Sequence, residues 1–305
     1  MRVLITYPDI FLGRFIKQHL LQYNYEIIDI NNVSFENYSQ IEEIFKKNLP
    51  HYVILHIPFS GGIKANIEKP AELFTKNLII QTYLIYLGYK YNIKKLIFIG
   101  SSCMYPRNYV EPLKEEYLLT APLEETNEAY AIAKIAGWQM CKAYNKQYKT
   151  SFITIIPANI YGPFDDFDPE TAHVIGALIY KFHKAKENKE KIVSIWGTGK
   201  PIRDFIYVED VAEAIIFCLK NDIPYNVINI GSGIGYSIKK IAYEIKEIVN
   251  FKGDVIFDKT KPDGMPVKVL DTSRISKLGW KPKTPLKDGL KKTYNYFLNF
   301  FDKIC

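Results

Sequence analysis

The 305-residue chain is 48% hydrophobic and 24% charged, the balance of a globular protein that buries a full core. Its 40 Lys and Arg against 33 Asp and Glu leave a net charge of +7 with the two signs interspersed, which argues against a nucleic-acid partner and suits an anionic small substrate. Four scattered cysteines (Cys103, Cys141, Cys218, Cys305) show no C-x-x-C or Cys/His spacing, so neither a metal site nor a disulfide framework is expected. Taken in chain order, apolar strand-like runs then alternate with helical patterns. VLIT (3–6) precedes a helix over 11–20, EIIDI (26–30) one over 38–47, and YVILHI (52–57) one over 71–91. That last helix contains LIIQTYLIYLGY, but Gln81 and Thr82 interrupt it well short of the ~18 apolar residues of a membrane span. KLIFIG (95–100) is followed after a long loop by a helix over 129–148, and FITIIP (152–157) closes the regular series. Beyond residue 165 the pattern loosens: helix 172–187, strand 193–197, helix 208–220, strand 225–230, helix 236–249, then a tail punctuated by Pro and Gly.

Continuous apolar strands alternating with helices predict a doubly wound α/β domain on a parallel sheet, here residues 1–164. Residues 165–305 are expected mainly to form a smaller α/β substrate lobe, with some segments returning to the first domain. No charged leader and apolar h-region precede the first strand, so a cytoplasmic location and no membrane partner are expected. Open α/β sheets bind ligands beyond the carboxyl ends of their strands, which singles out residues 6–13, 31–32, 56–62, 100–106 and 157–163.

After the fourth strand stands GSSCMYP (100–106), and the next helix opens TNEAYAIAKIAGWQM (126–140). Tyr130 and Lys134 are spaced i, i+4 and share a helix face. A phenol of pKa ~10 works as an acid or base near neutrality only when a cation stabilises its phenolate. Lys134 can supply that charge, and Ser101 or Ser102 a hydroxyl to orient a carbonyl while hydride moves to or from carbon. The spacing alone decides nothing, since Tyr86/Lys90, Tyr91/Lys95 and Tyr180/Lys184 share it; the preceding strand and its G-S-S end distinguish Tyr130.

The stretch from KKLIFIGSSCMYP to EEYLLTAPLEETNEAYAIAKIAGWQMCKAYNKQY resembles the extended short-chain dehydrogenase/reductases, and among them the GDP-L-fucose synthases. GGIKANIEKPAELFTKN (61–77), PANIYGPFDDFDPETAHVIGALIYKFHKA (157–185), WGTGKPIRDFIYVEDVAEA (196–214) and KPDGMPVKVLDTSRISKLGW (261–280) are similar in the same order. The resemblance implies a Rossmann domain, NADP(H) or alternatively NAD as cofactor, and a homodimer formed through helices near 71–91 and 129–148. It implies a substrate of the GDP-4-keto-6-deoxy-D-mannose type, epimerised at C3 and C5 and reduced at C4 to a GDP-L-fucose-like product. Ser101, Tyr130 and Lys134 would assist reduction, and Cys103 and His173 would move the protons of epimerisation. An unperturbed thiol (~8.5) and imidazole (~6.5) lie close enough to neutrality for that work. The implied cofactor residues are Phe11, Leu12, Gly13, Asn31, Gly100, Ser101, Tyr130, Lys134, Pro157, Asn159, Ile160 and His173. Lys181, Trp196, Arg203 and Lys268 would hold the nucleotide diphosphate.

The chain departs from that family where the cofactor should lie. TYPDIFLG (6–13) stands for T-G-x-x-G-x-x-G, with Tyr7 and Ile10 at two glycine positions, Pro8 lacking an N–H, and Asp9 bringing a negative charge or a helix cap. HIPFSGG (56–62) replaces a small-residue approach, Asn31 replaces the acid typical of NAD preference, and Val267 an arginine. NIGSGIGYS (229–237) is read as a turn before a helix capped by Ser237 rather than as a phosphate loop. The glycine loss keeps two alternatives open: a 3,5-epimerase on a GDP-4-keto deoxyhexose or heptose that needs no hydride, and a non-catalytic GDP-sugar-binding paralogue.

Overall fold

A computed structural model describes residues 1–28, 30, 34–60, 63–109, 111–169, 171–261 and 263–304. The first half runs β1 (Arg2–Ile5), α1 (Leu12–Gln22), β2 (Glu26–Ile27), α2 (Tyr38–Asn48), β3 (Tyr52–Leu55), α3 (Ile63–Glu68), α4 (Pro70–Lys90), β4 (Lys95–Ile99), α5 (Glu128–Tyr148) and β5 (Phe152–Pro157). Next come β6 (Asn159–Tyr161), α6 (Val174–Glu187), β7 (Ile192–Trp196), β8 (Ile202–Tyr207), α7 (Val208–Lys220) and β9 (Val227–Ile230). The chain ends with β10 (Gly235–Ser237), α8 (Ile238–Val249), β11 (Asp254–Asp258), β12 (Val267–Lys268), α9 (Ser273–Lys277) and α10 (Leu286–Ile304).

Six strands form a parallel sheet in the order β2-β1-β3-β4-β5-β9. It is covered on one side by α1 and α7 and on the other by α4 and α5, the doubly wound arrangement that the alternation predicts. Its last strand, β9, comes from the later half of the chain. A second sheet runs β10-β8-β12 with β6 beside β8, and β7 pairs with β11. The tail beyond residue 249 holds a 19-residue helix, α10, that its Pro and Gly residues hide. Leu290, Tyr294 and Phe297 repeat at helical spacing and pack in the core between α6, α8 and β8. No described helix is long and apolar enough to cross a membrane.

Two contacts fix the helix that matters most. A Cβ on Gly137 would stand 2.6 Å from the Phe98 ring, so glycine lets α5 lie directly on β4. Gln81 on α4 donates to the Ala133 carbonyl at 2.5 Å, holding α5 along its first turns.

Candidate active site

β4 ends at Ile99, and the chain turns at once through Gly100 into a short 3-10 turn, Ser102–Met104. A Cβ on Gly100 would crowd the Met104 sulfur at 3.0 Å, and the amide of Gly100 donates to the Ile155 carbonyl at 2.8 Å. The Ser101 hydroxyl accepts the Cys103 amide at 3.2 Å and is hydrogen-bonded to the Tyr130 side chain. Tyr130 and Lys134 are both buried on α5. Burial raises the phenol of Tyr130, helped by the nearby Cys103, while its bond to Ser101 opposes the shift. Burial lowers Lys134 from 10.5 to about 7. Its ammonium donates to the Ile99 carbonyl at 3.1 Å and stands 5.8 Å from the centre of the Tyr130 ring.

Three further residues join this group. Lys268 on β12 points its ammonium at the Cys103 sulfur, 3.7 Å away, and Asn127 donates its side-chain amide to the same sulfur at 3.4 Å. The resemblance assigns Lys268 to the nucleotide diphosphate; here its ammonium lies against the thiol. Asn127 is absent from the sequence-based set, though its place three residues before Tyr130 on the opening turn of α5 is the signal that could have found it. His173 is the N-cap of α6 and is exposed at that helix's start. Enclosure lowers its imidazole, Asp166 raises it, and Lys268 lowers it, so Lys268 stands near both Cys103 and His173.

Arg203 and Lys268 are paired neighbours in the β8–β12 ladder. Arg203 is lowered by burial and faces the charges of Glu111, Asp263 and Cys103. Lys181, on α6, reaches the Ser194 carbonyl at 2.6 Å, two residues before Trp196 on the same strand. Trp196 is 66% exposed, with the Lys261 ammonium 5.3 Å from its ring. Asp263 ties the two groups together by accepting the Thr198 amide at 2.6 Å and its hydroxyl at 2.7 Å. Pro157, Asn159 and Ile160 lie at the carboxyl end of β5 and in β6, and Asn159 donates to the Asp204 carbonyl at 3.0 Å. The glycine-bearing turn at 229–237 is already satisfied. Asp204 accepts the amides of Ser232 at 3.0 Å and Gly233 at 3.1 Å, and Ser237 caps α8 by accepting the Lys240 amide at 3.1 Å.

The turn after β1 keeps a glycine-type backbone without the glycines. Tyr7 has φ +50° and Phe11 φ +29°, both in the region L side chains rarely adopt. Ile10, where the sequence places the second strained position, does not share it; the strain falls on Phe11, and the Ile10 side chain is exposed. Asp9 does not cap α1 but pairs with Lys17 at 3.0 Å. Phe11 is the N-cap and offers no side-chain acceptor. A Cβ on Gly13 would collide with the Tyr7 carbonyl oxygen, which explains why this glycine remains. Asn31 lies outside the described residues.

Residues 10–231 match the NAD dependent epimerase/dehydratase family. The chain belongs to that family. It is 46% identical over 260 residues to GDP-L-fucose synthase 1 of Arabidopsis thaliana, covering 85% of this chain and 80% of the relative. It is 45% identical over 273 residues to the GDP-L-fucose synthase of Sinorhizobium fredii, covering 90% and 87%. Among solved structures, a GDP-mannoheptose C4 reductase from Campylobacter jejuni with NADP bound superposes with a TM-score of 0.87 at 36% identity, covering 97% of this chain and 98% of that one.

The residues present suit the family's dinucleotide at two of its three regions. The first turn of α1 carries no side-chain cap and Gly13 lets the turn close tightly; the Gly13 and Arg14 amides already bond the Ile10 and Phe11 carbonyls at 2.7 and 3.1 Å, so an anion would meet only the amides ahead of them. Lys134 is a buried ammonium with three donors, one of them spent on Ile99, and ribose hydroxyls are natural acceptors for the others. The third region, at the ends of β2 and β3, is filled by aromatic side chains.

Proposed function

We propose that this chain is a cytoplasmic NADPH-dependent epimerase/reductase acting on a GDP-4-keto-6-deoxy sugar of the GDP-4-keto-6-deoxy-D-mannose type. The observation that carries the reading is the convergence of two proton-moving sets: Cys103 with Lys268, Asn127 and His173, and Tyr130 with Ser101 and Lys134. A C4 ketone acidifies the hydrogens on C3 and C5, so inversion needs one group to remove a proton and another to return it. Cys103 Sγ and the neutral imidazole of His173 do this. The Lys268 ammonium at 3.7 Å offsets charge on the sulfur whenever it is without its proton. Tyr130 gives its phenolic proton to O4, Ser101 holds that oxygen, and Lys134 stands beside the phenolate that remains. Burial disfavours both the bare phenolate and the bare ammonium, and forming them together relieves the two costs at once. Bound NADPH, held by the α1 turn with Gly13 and by Tyr130 and Lys134, supplies the hydride for C4. Arg203 and Lys181 take the phosphates as cations, and the exposed Trp196 face takes the base or sugar.

The 45–46% identity to two relatives named as GDP-L-fucose synthases supports a deoxyhexose. The 36% likeness to a protein named for a GDP-heptose keeps a heptose as the second reading. The reading extends to a homodimer through α4 and α5, whose outer sides expose Tyr86, Ile132 and Tyr148. The test is reaction with GDP-4-keto-6-deoxymannose in D₂O, with and without NADPH. Deuterium at C3 and C5 together with NADPH oxidation is the expected result. Deuterium without oxidation makes the protein an epimerase, and neither result leaves a GDP-sugar-binding protein. A faster reaction with the 4-keto heptose in the same assay would establish the second reading.

A further inference from the structure

Three aromatic rings converge at the carboxyl ends of three adjacent strands. Tyr7 follows β1, Phe35 follows β2 and Phe59 follows β3, and β1 lies between the other two in the sheet. The Tyr7 ring centre is 4.9 Å from that of Phe35 and 5.3 Å from that of Phe59, the second pair edge to face. In a sheet of this order the winding reverses between β1 and β3, and the ligand crevice opens there. The Tyr7–Phe59 contact therefore spans the crevice. The candidate catalytic groups stand after β4 and on α5, and in dinucleotide folds the pyrophosphate lies at the N-terminus of the first helix, here α1. What remains for the adenosine half is the β2–β1–β3 side, since adenosine ribose meets the end of the second strand in dinucleotide folds.

The three rings are not equally fixed. Phe35 is buried, and Phe59 is held by its carbonyl, which accepts the Asn77 side-chain amide at 2.8 Å. Lys76 further covers the Phe59 face, its ammonium 5.4 Å from the ring centre. Tyr7 is half-buried and sits on a backbone of φ +50°, a conformation a tyrosine holds only because surrounding contacts impose it.

We propose that the Tyr7 ring stands in the adenosine subsite of the dinucleotide crevice and swings out when the adenosine half binds, so that residue 7 sets the affinity for that half alone. The proposal rests on the cofactor reading above. Leaving the subsite breaks two ring contacts, and removing the ring in advance should tighten binding about tenfold, equivalent to ~1.4 kcal/mol.

The experiment is calorimetric titration of the wild-type chain, Tyr7→Gly and Tyr7→Phe with three probes: NADPH, adenosine 2′,5′-bisphosphate and reduced nicotinamide mononucleotide. Tyr7→Gly should bind NADPH and the bisphosphate about tenfold more tightly and the mononucleotide unchanged, and Tyr7→Phe should match wild type. If Tyr7→Gly does not fold, Tyr7→Ala enters the same titrations. Weaker binding of the bisphosphate would make Tyr7 a platform for adenine and overturn the proposal, as would equal tightening of all three probes. NADPH bound equally well by wild type and Tyr7→Gly overturns the proposal alone. NADPH bound by neither overturns the cofactor reading with it.

Discussion

Lys134 carries a positive charge at 1% exposure, and replacing it with methionine should stabilise the free protein while ending reduction. Burial takes its pKa from 10.5 to about 7. At ~1.36 kcal/mol per pH unit, that drop corresponds to roughly 5 kcal/mol between the folded and unfolded states. The unfolded lysine keeps its proton up to ~10.4, whereas the folded one releases it near 7, so between those values the unfolded state binds more protons. Stability therefore rises with pH across that window, and below pH 7 the whole penalty remains. Two contacts offset it: the bond to the Ile99 carbonyl at 3.1 Å, worth about 1 kcal/mol, and the Phe98 ring at 5.2 Å, worth about as much again. Lys134→Met keeps the apolar stem and removes the charge, which leaves a net gain of about 2–3 kcal/mol at pH 6 to 7. Urea unfolding of wild type and variant from pH 6 to 10, without cofactor, measures this, because other titrating groups cancel in the difference. The gap should be largest at pH 6 and close towards pH 10. A variant less stable than wild type at pH 6, or a gap that ignores pH, would refute the reasoning that this site holds a charge at a cost to the fold.

The first sheet was readable because its strands are short, mostly apolar runs between helices. In FITIIP every residue is buried, a pattern only a strand covered on both faces produces. The second sheet was not readable. IRDFIY carries an arginine and an aspartate in what becomes β8, and they are tolerated because Asp204 satisfies the 232–233 turn and Arg203 has the charges of Glu111 and Asp263 nearby. Its neighbours β6, β10 and β12 are two or three residues long, so pairing distant in sequence defines them rather than any local signal. At the site, Ser101, Tyr130 and Lys134 were legible as a turn after a strand followed by a helix face, whereas Cys103 entered only through the resemblance. The position of Lys268 on the thiol was not, because it depends on the register of β12 against β8. Tyr7 shows the opposite failure: its chemistry disfavours φ +50°, and only Phe35 and Phe59, each arriving from another strand, explain why it holds.

Tyr130→Phe should lower reduction by about 10²–10⁴-fold while solvent deuterium still enters C3 and C5, as NMR of the recovered sugar would show. Gly13→Ala should cost about 1–3 kcal/mol in thermal unfolding, because its Cβ meets the Tyr7 carbonyl, and should weaken NADPH binding in the same preparation. Enclosure holds the imidazole of His173 below the usual 6.5, against Asp166 and with Lys268. Its imidazole is therefore neutral at pH 7, and the acid limb of C3/C5 deuterium exchange should fall below pH 6.5. Lys268→Gln removes a charge that opposes the imidazolium, so the limb should move up. Asp166→Asn removes a charge that favours it, so the limb should move down. Whatever either change does to the overall rate through Cys103, only a titrating His173 moves the limb in opposite directions, and limbs that move together or stay fixed would assign that proton to another group.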